Sequence, residues 1–212
     1  MKLFILALLP TLVLATSPSL IRVEGSVDAM GTGFSIVAYG EDRSRLESAV
    51  AQGLEEARRL DEMLSNYKPD SEWSQMNRQA AQRPVKVSPE LYRLLDQCLE
   101  YSRRSEGAFD ITVGPLMKVW GFYKGTGHLP HRPEILAAMT KVGYRHVHLD
   151  PKAQTVSFDR DGVEMDPGGI GKGYAVDRMV DVLRQNGFTT ALVAGSDSSI
   201  YGMGAPPTEP KG

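Results

Sequence analysis

The sequence predicts an α+β fold in which mixed or antiparallel sheets are covered by helices. Two kinds of stretch point to it. Runs rich in β-branched and aromatic residues, bounded by glycines, stand at both ends of the chain, as in Ile21 to Val27, Phe34 to Tyr39 and Thr190 to Ala194. Between them lie segments whose apolar residues step by three and four, as in Leu46, Val50, Leu54, Ala57, Leu60 and Leu64. A third observation bounds the size: 212 residues, 42% hydrophobic and 24% charged, are enough for one sizeable domain or two small ones.

Taken in order, the chain opens with Met1-Lys2, the apolar run Leu3 to Leu14 and the small residues Ala15-Thr16-Ser17. A charged start, an apolar middle and a small-residue end mark a secretory signal peptide, and the run is shorter than the roughly 20 apolar residues of a spanning helix. Residues 1–17 are therefore expected to be a cleaved leader. The remaining chain, 18–212, is expected to be exported to the periplasm or another extracytoplasmic space. It would be soluble there, with peripheral membrane association left open. The 24 basic and 26 acidic residues give a net charge of −2, which excludes nucleic-acid binding by a basic face. The single Cys98 can form no internal disulfide; among Leu94, Leu95 and Leu99 it reads as a small buried hydrophobe.

Two strands flank Asp28 to Gly33, and one long amphipathic helix follows from Glu41 to Ser65. Its charged residues, Arg58, Arg59, Asp61 and Glu62 among them, read as a solvated face. A polar turn from Leu64 to Asp70 leads to a short helix; Tyr67 and Trp73 there are either edge packing or a ring platform for a ligand. Ser88-Pro89 supplies a cap and a first-turn proline for a helix that Gly107 ends. In Gly107 to Leu116, Asp110 stands between apolar neighbours, as a cap or turn residue or as an acceptor in a pocket walled by Phe109. Pro133 to Val142 reads as a helix, and Val147 to Leu149 with Thr155 to Phe158 as a hairpin. His146 and His148 share a strand face without a carboxylate or Cys at ligand spacing, so no metal set is expected from them.

The chain is organised around Met165 to Arg178, which reads as strand, glycine loop and helix N-terminus. Unpaired N–H groups and the positive end of a helix dipole favour an anion, and glycines admit it to the main chain. The loop adds an acid, Asp166, and a base, Lys172. It is not a P-loop: with Gly171-Lys172 as the Gly-Lys pair, Asp166 stands where the first Gly belongs and Gly173 where Ser or Thr belongs. Nor does any start give the Rossmann glycine spacing.

Together, Met30-Gly31-Thr32, Leu64-Ser-Asn-Tyr67, Gly107-Ala-Phe-Asp-Ile-Thr-Val-Gly-Pro-Leu116 with Trp120-Gly-Phe122, and Asp166-Pro-Gly-Gly-Ile-Gly-Lys-Gly-Tyr-Ala-Val-Asp-Arg178 resemble the ApbE-type flavin transferases. The resemblance implies an FAD:protein FMN transferase. FAD is then the substrate, Mg²⁺ sits on its diphosphate, and FMN passes to a threonine of an acceptor flavoprotein, either a membrane redox-pump subunit or a flavin-carrying reductase. It also implies flavin-nucleotide contacts at Met30, Tyr67, Ala108, Phe109, Asp110, Asp166 and Lys172, and a metal contact at the main-chain carbonyl of Gly169. Relative to the family pattern the chain carries Ser196 in place of a glycine and is expected to be incomplete at its C-terminal end. Two alternatives stand beside this reading: a catalytically incomplete member that only binds flavin nucleotide, and a periplasmic assembly or binding protein.

Overall fold

The computed structural model describes residues 20–125 and 127–207; the expected leader and the end of the Gly204 to Gly212 tail lie outside them. The first two strands, β1 (Ile21–Ala29) and β2 (Thr32–Gly40), pair antiparallel with Ala29 opposite Thr32. Only Met30 and Gly31 form the turn, and both have positive φ (51° and 69°), the conformation that matches the twist of a two-residue hairpin. The strands therefore run further into Asp28 to Gly33 than residue type suggested.

A helix, α1 (Arg43–Leu64), is capped by Asp42, whose side chain accepts from the Arg45 N–H. Its buried stripe meets Phe34, Ile36 and Ala38, the alternate residues of β2 that share one sheet face. The short α2 (Glu72–Gln79) follows, capped by Ser71, then the two-residue strand β3 (Val85–Lys86) and α3 (Pro89–Arg104), capped by Ser88. Glu72 also accepts from the Ser88 hydroxyl at 2.9 Å, so the start of α2 is tied to the start of α3. The helix α3 stops at Arg104, before Gly107, because Glu106 already takes positive φ.

Two short helices, α4 (Gly114–Val119) and α5 (Arg132–Met139), precede the hairpin of β4 (Val147–Asp150) and β5 (Thr155–Phe158). The last elements are α6 (Gly171–Gln185), β6 (Thr190–Gly195) and β7 (Ser199–Met203). All strand pairs among the described residues are antiparallel, in a four-stranded sheet ordered β1-β2-β6-β7 and a three-stranded one ordered β3-β5-β4. β3 and β7 are additions to the elements expected from sequence: β3 is too short for periodicity, and β7 mixes Gly with exposed Ile200.

Two hydrophobic cores result. One lies between the larger sheet and α1 with α6; the other joins α2, α3 and the smaller sheet around Trp73, Met76, Leu91 and Met165. Each fully buried Leu, Ile or Met contributes about 1.5–3 kcal/mol by leaving water. Met30, Met63 and Tyr174 pack against both cores. A polar link also crosses between them: Glu90 of α3 accepts from Arg59 of α1 at 2.8 Å and from the Tyr174 hydroxyl of α6 at 3.0 Å. Burial, and then the Glu90 hydrogen bond, push the Tyr174 phenol up to about 12.

The strand expected at the head of the Met165 to Arg178 stretch does not form, and residues 163–165 carry no strand pairing. They form an extended segment held by single bonds: Gly114 N–H to the Glu164 carbonyl (3.1 Å) and Asp166 N–H to the Ile111 carbonyl (2.8 Å). The Asn77 amide brackets Met165, accepting from its N–H at 3.0 Å and donating to its carbonyl at 2.8 Å, while the Trp73 indole N–H donates to the same carbonyl at 3.1 Å. Side chains replace the sheet partner that a strand would need. Trp73, fully buried, is thus core and no ligand platform.

Candidate active site

The anchored segment delivers Asp166 to the edge of a cavity of about 470 Å³. Asp166 caps a 3-10 turn, Pro167–Gly169, by accepting from the Gly168 N–H at 2.7 Å. The turn separates it from α6, which starts at Gly171 after Ile170, a residue with no capping side chain. The first intrahelical bond is Tyr174 N–H to the Ile170 carbonyl, so the preceding N–H groups of Gly171, Lys172 and Gly173 lie outside the helix ladder. Gly171 is buried, and Met30 Sδ lies 3.9 Å from where a Cβ on it would stand.

Four expected contacts, Met30, Tyr67, Asp166 and Lys172, line this one cavity, with Gly31, Asp61, Asn66, Met117 and Tyr123 among their companions. Tyr67 is 72% exposed, an open ring at the cavity edge. Asp61, read from sequence as part of a solvated face, belongs to the site: it accepts from the Met30 N–H at 2.9 Å and from the Lys68 ammonium at 2.6 Å. Helical periodicity places Asp61 beside Leu60 and Leu64 but is silent about the hairpin turn that folds back over the last turns of α1.

Asn66 and Tyr123 were not singled out by sequence, and both bond the Asp166 carboxylate: the Asn66 amide at 2.8 Å and the Tyr123 hydroxyl at 2.6 Å. Burial, and then this bond to Asp166, push the Tyr123 phenol well above the ordinary tyrosine range, so it stays a donor. Its ring meets Tyr67 edge-on, with centroids 6.0 Å apart.

The Gly107 to Leu116 segment is arranged differently. Phe109 sits on the other side of the glycine loop, in a shallow depression with Tyr101, Arg104, Gly169 and Ile170, and its ring lies 3.3 Å from where a Cβ on Gly169 would be. Ala108 is exposed beside it. Asp110 accepts from the Thr112 N–H and hydroxyl (2.8 and 2.6 Å) and from the Tyr144 N–H (2.7 Å), which makes it a staple between two loops.

His146 and His148 do have a carboxylate, supplied by tertiary folding: Asp159 stands 2.8 Å from one and 3.3 Å from the other, exposed. Among the described residues no three of His, Cys, Asp or Glu are gathered for a metal. Among the described residues the Gly169 carbonyl is thus not part of a cluster of ligating side chains that would make a cation site by itself.

A sequence profile of the ApbE family matches residues 30–211, which spans the hairpin turn, the cavity and the glycine loop. The chain belongs to the ApbE family. Within the family, the FAD:protein FMN transferase of Salmonella typhimurium strain LT2 is 31% identical over 194 residues, covering 89% of this chain and 55% of the relative. That of Vibrio cholerae O395 is 28% identical over 192 residues, covering 86% and 55%. The chain thus spans about half the length of the curated relatives it matches. Solved ApbE structures agree in fold: the Thermotoga maritima protein superposes with a TM-score of 0.81 at 28% identity, over 89% of this chain and 61% of its own. The Vibrio cholerae flavin transferase superposes at 0.77 and 27%, over 90% and 62%.

Proposed function

We propose that this chain carries the nucleotide-binding part of an FAD:protein FMN transferase, and that FAD binds in the cavity between Tyr67 and the start of α6. The observation that carries the reading is the convergence of an open aromatic ring, a buried carboxylate, a lysine and a glycine-lined helix N-terminus on one cavity of about 470 Å³. That volume is ordinary for small-molecule sites. The names of the matched relatives support the same substrate.

In the transfer, a threonine hydroxyl oxygen of an acceptor flavoprotein forms a bond to the phosphorus of the FMN half of FAD. The bond from that phosphorus to the bridging oxygen breaks, AMP leaves, and the hydroxyl proton passes to solvent. The chain's part is positioning and charge placement, which dominate phosphoryl transfer. Lys172 and the N–H groups of Gly171 to Gly173 hold the diphosphate, Tyr67 offers a face to a flat ring, and Asp166 takes a hydrogen bond from the ligand. Mg²⁺ would supply further charge neutralisation for the diphosphate, and the Gly169 carbonyl is the donor this chain would offer it. Export by the leader would place the reaction outside the cytoplasm, where a membrane redox-pump subunit or a flavin-carrying reductase would be the acceptor.

The test is a transfer assay with FAD, Mg²⁺ and such an acceptor domain, read by the intact mass of the acceptor. An FMN adduct that disappears with chelator is the expected result. Tight FAD binding with no adduct, while a longer family member labels the same acceptor, would leave nucleotide binding alone to this chain.

A further inference from the structure

We propose that Asn66 and Tyr123 are positioning residues for the nucleotide, acting through Asp166. The inference rests on the transferase reading and deepens it. Asp166 is only 7% exposed, and an ionised carboxylate has about four lone-pair positions to satisfy. The Gly168 N–H takes one on Oδ1 at 2.7 Å; the Asn66 amide and the Tyr123 hydroxyl take both on Oδ2 at 2.8 and 2.6 Å. One position on Oδ1 is left for a ligand.

The donors come from three separate segments: the loop after α1, the 3-10 turn Phe122–Lys124 after α4, and the glycine loop itself. The Asn66 amide nitrogen also lies 3.4 Å from the Tyr123 oxygen, so that oxygen receives one proton while giving its own to Asp166. All three recorded hydrogen-bond partners of the carboxylate are donors. The same pair governs the ring platform, because Asn66 precedes Tyr67 in the chain and the Tyr123 ring abuts the Tyr67 ring edge-on.

A consequence for specificity follows. The ligand group that meets Asp166 has to bring a proton, as a hydroxyl or a ring N–H does; a phosphate oxygen there would face an anion. The sugar or ring end of a dinucleotide therefore turns toward Asp166, and its diphosphate toward Lys172 and the start of α6.

The experiment is a double-mutant cycle on FAD affinity, read by flavin fluorescence and by the rise in melting temperature with FAD. Y123F keeps the ring and removes only the donor, and is expected to raise Kd about tenfold or more, as for a hydrogen bond to a charged group. In a D166N background, Y123F should change Kd by less than about twofold, since the residue it acts through is already altered. N66A should show the same non-additivity. Equal losses in both backgrounds would overturn the inference, because a merely structural Tyr123 or Asn66 would act independently of Asp166. Ligand-free melting of each variant excludes misfolding as the cause. A parent protein that binds no FAD would overturn the transferase reading, and this inference with it; additivity in a parent that does bind overturns this inference alone.

Discussion

At the scale of single residues, the site depends on side chains that serve the main chain. Asn77 is the clearest case. Its amide bonds both the N–H and the carbonyl of Met165, the residue before Asp166, where a strand partner would otherwise be. Replacing it by Ala leaves a buried N–H unpaired, and Asn77→Ala should cost about 1–3 kcal/mol in denaturant unfolding, with weakened FAD binding beside it. A variant as stable as the parent would mean that Met165 finds other partners. Met30, Tyr67, Asp166 and Lys172 line one cavity, and the sequence pointed to them through the family motifs in which they stand, in one set with Ala108, Phe109 and Asp110, which do not line it. Asn66, Tyr123 and Asp61 were not singled out. Their roles are contacts with residues 100, 43 and 31 positions away, and no local pattern records such partners.

At the scale of elements, amphipathic helices were the readable part. Ser88 caps α3 as the sequence suggested, whereas Asp42, read as lying inside the first helix, and Ser71, which the sequence did not single out, cap α1 and α2. The segment before Asp166 misled because Val163 and Met165, alternating about Glu164, look like a strand whether or not a partner strand exists. Close approach to α4 holds it instead: a Cβ on Gly114 would stand 2.6 Å from the Glu164 carbonyl oxygen. Gly114→Ala must push α4 and this segment apart, and should cost about 1–3 kcal/mol, as overpacking does. Urea unfolding checks the loss; an unchanged midpoint would show that α4 can shift without consequence.

At the scale of the whole molecule, the cavity lies where the two cores meet, and the Arg59, Glu90 and Tyr174 link bridges them. Desolvation works against the Glu90 carboxylate, but the Arg59 and Tyr174 hydrogen bonds outweigh it and hold its pKa below the ordinary value. The folded form therefore binds this proton less readily than the unfolded form. The link's contribution is complete above about pH 4.3, the unfolded glutamate value, and is lost as pH falls through the lower folded value. Glu90→Gln should lose less stability than the parent between pH 7 and pH 3, measured as the shift in urea midpoint. Equal losses would show that the link carries no acid sensitivity. Sequence periodicity identified the helices that build both cores, but not that they meet at the site, since Arg59 read simply as part of a solvated surface.

Met30 joins these scales. A residue with a Cβ pays for positive φ in the very turn that brings its sulfur to the cavity, whereas glycine or asparagine would adopt that conformation at lower cost. Selection for thermal robustness and, under the proposed nucleotide role, selection for ligand affinity thus pull this codon in opposite directions. A stabilised lineage evolved without nucleotide would drift away from methionine here, and the hairpin would survive the change better than the pocket.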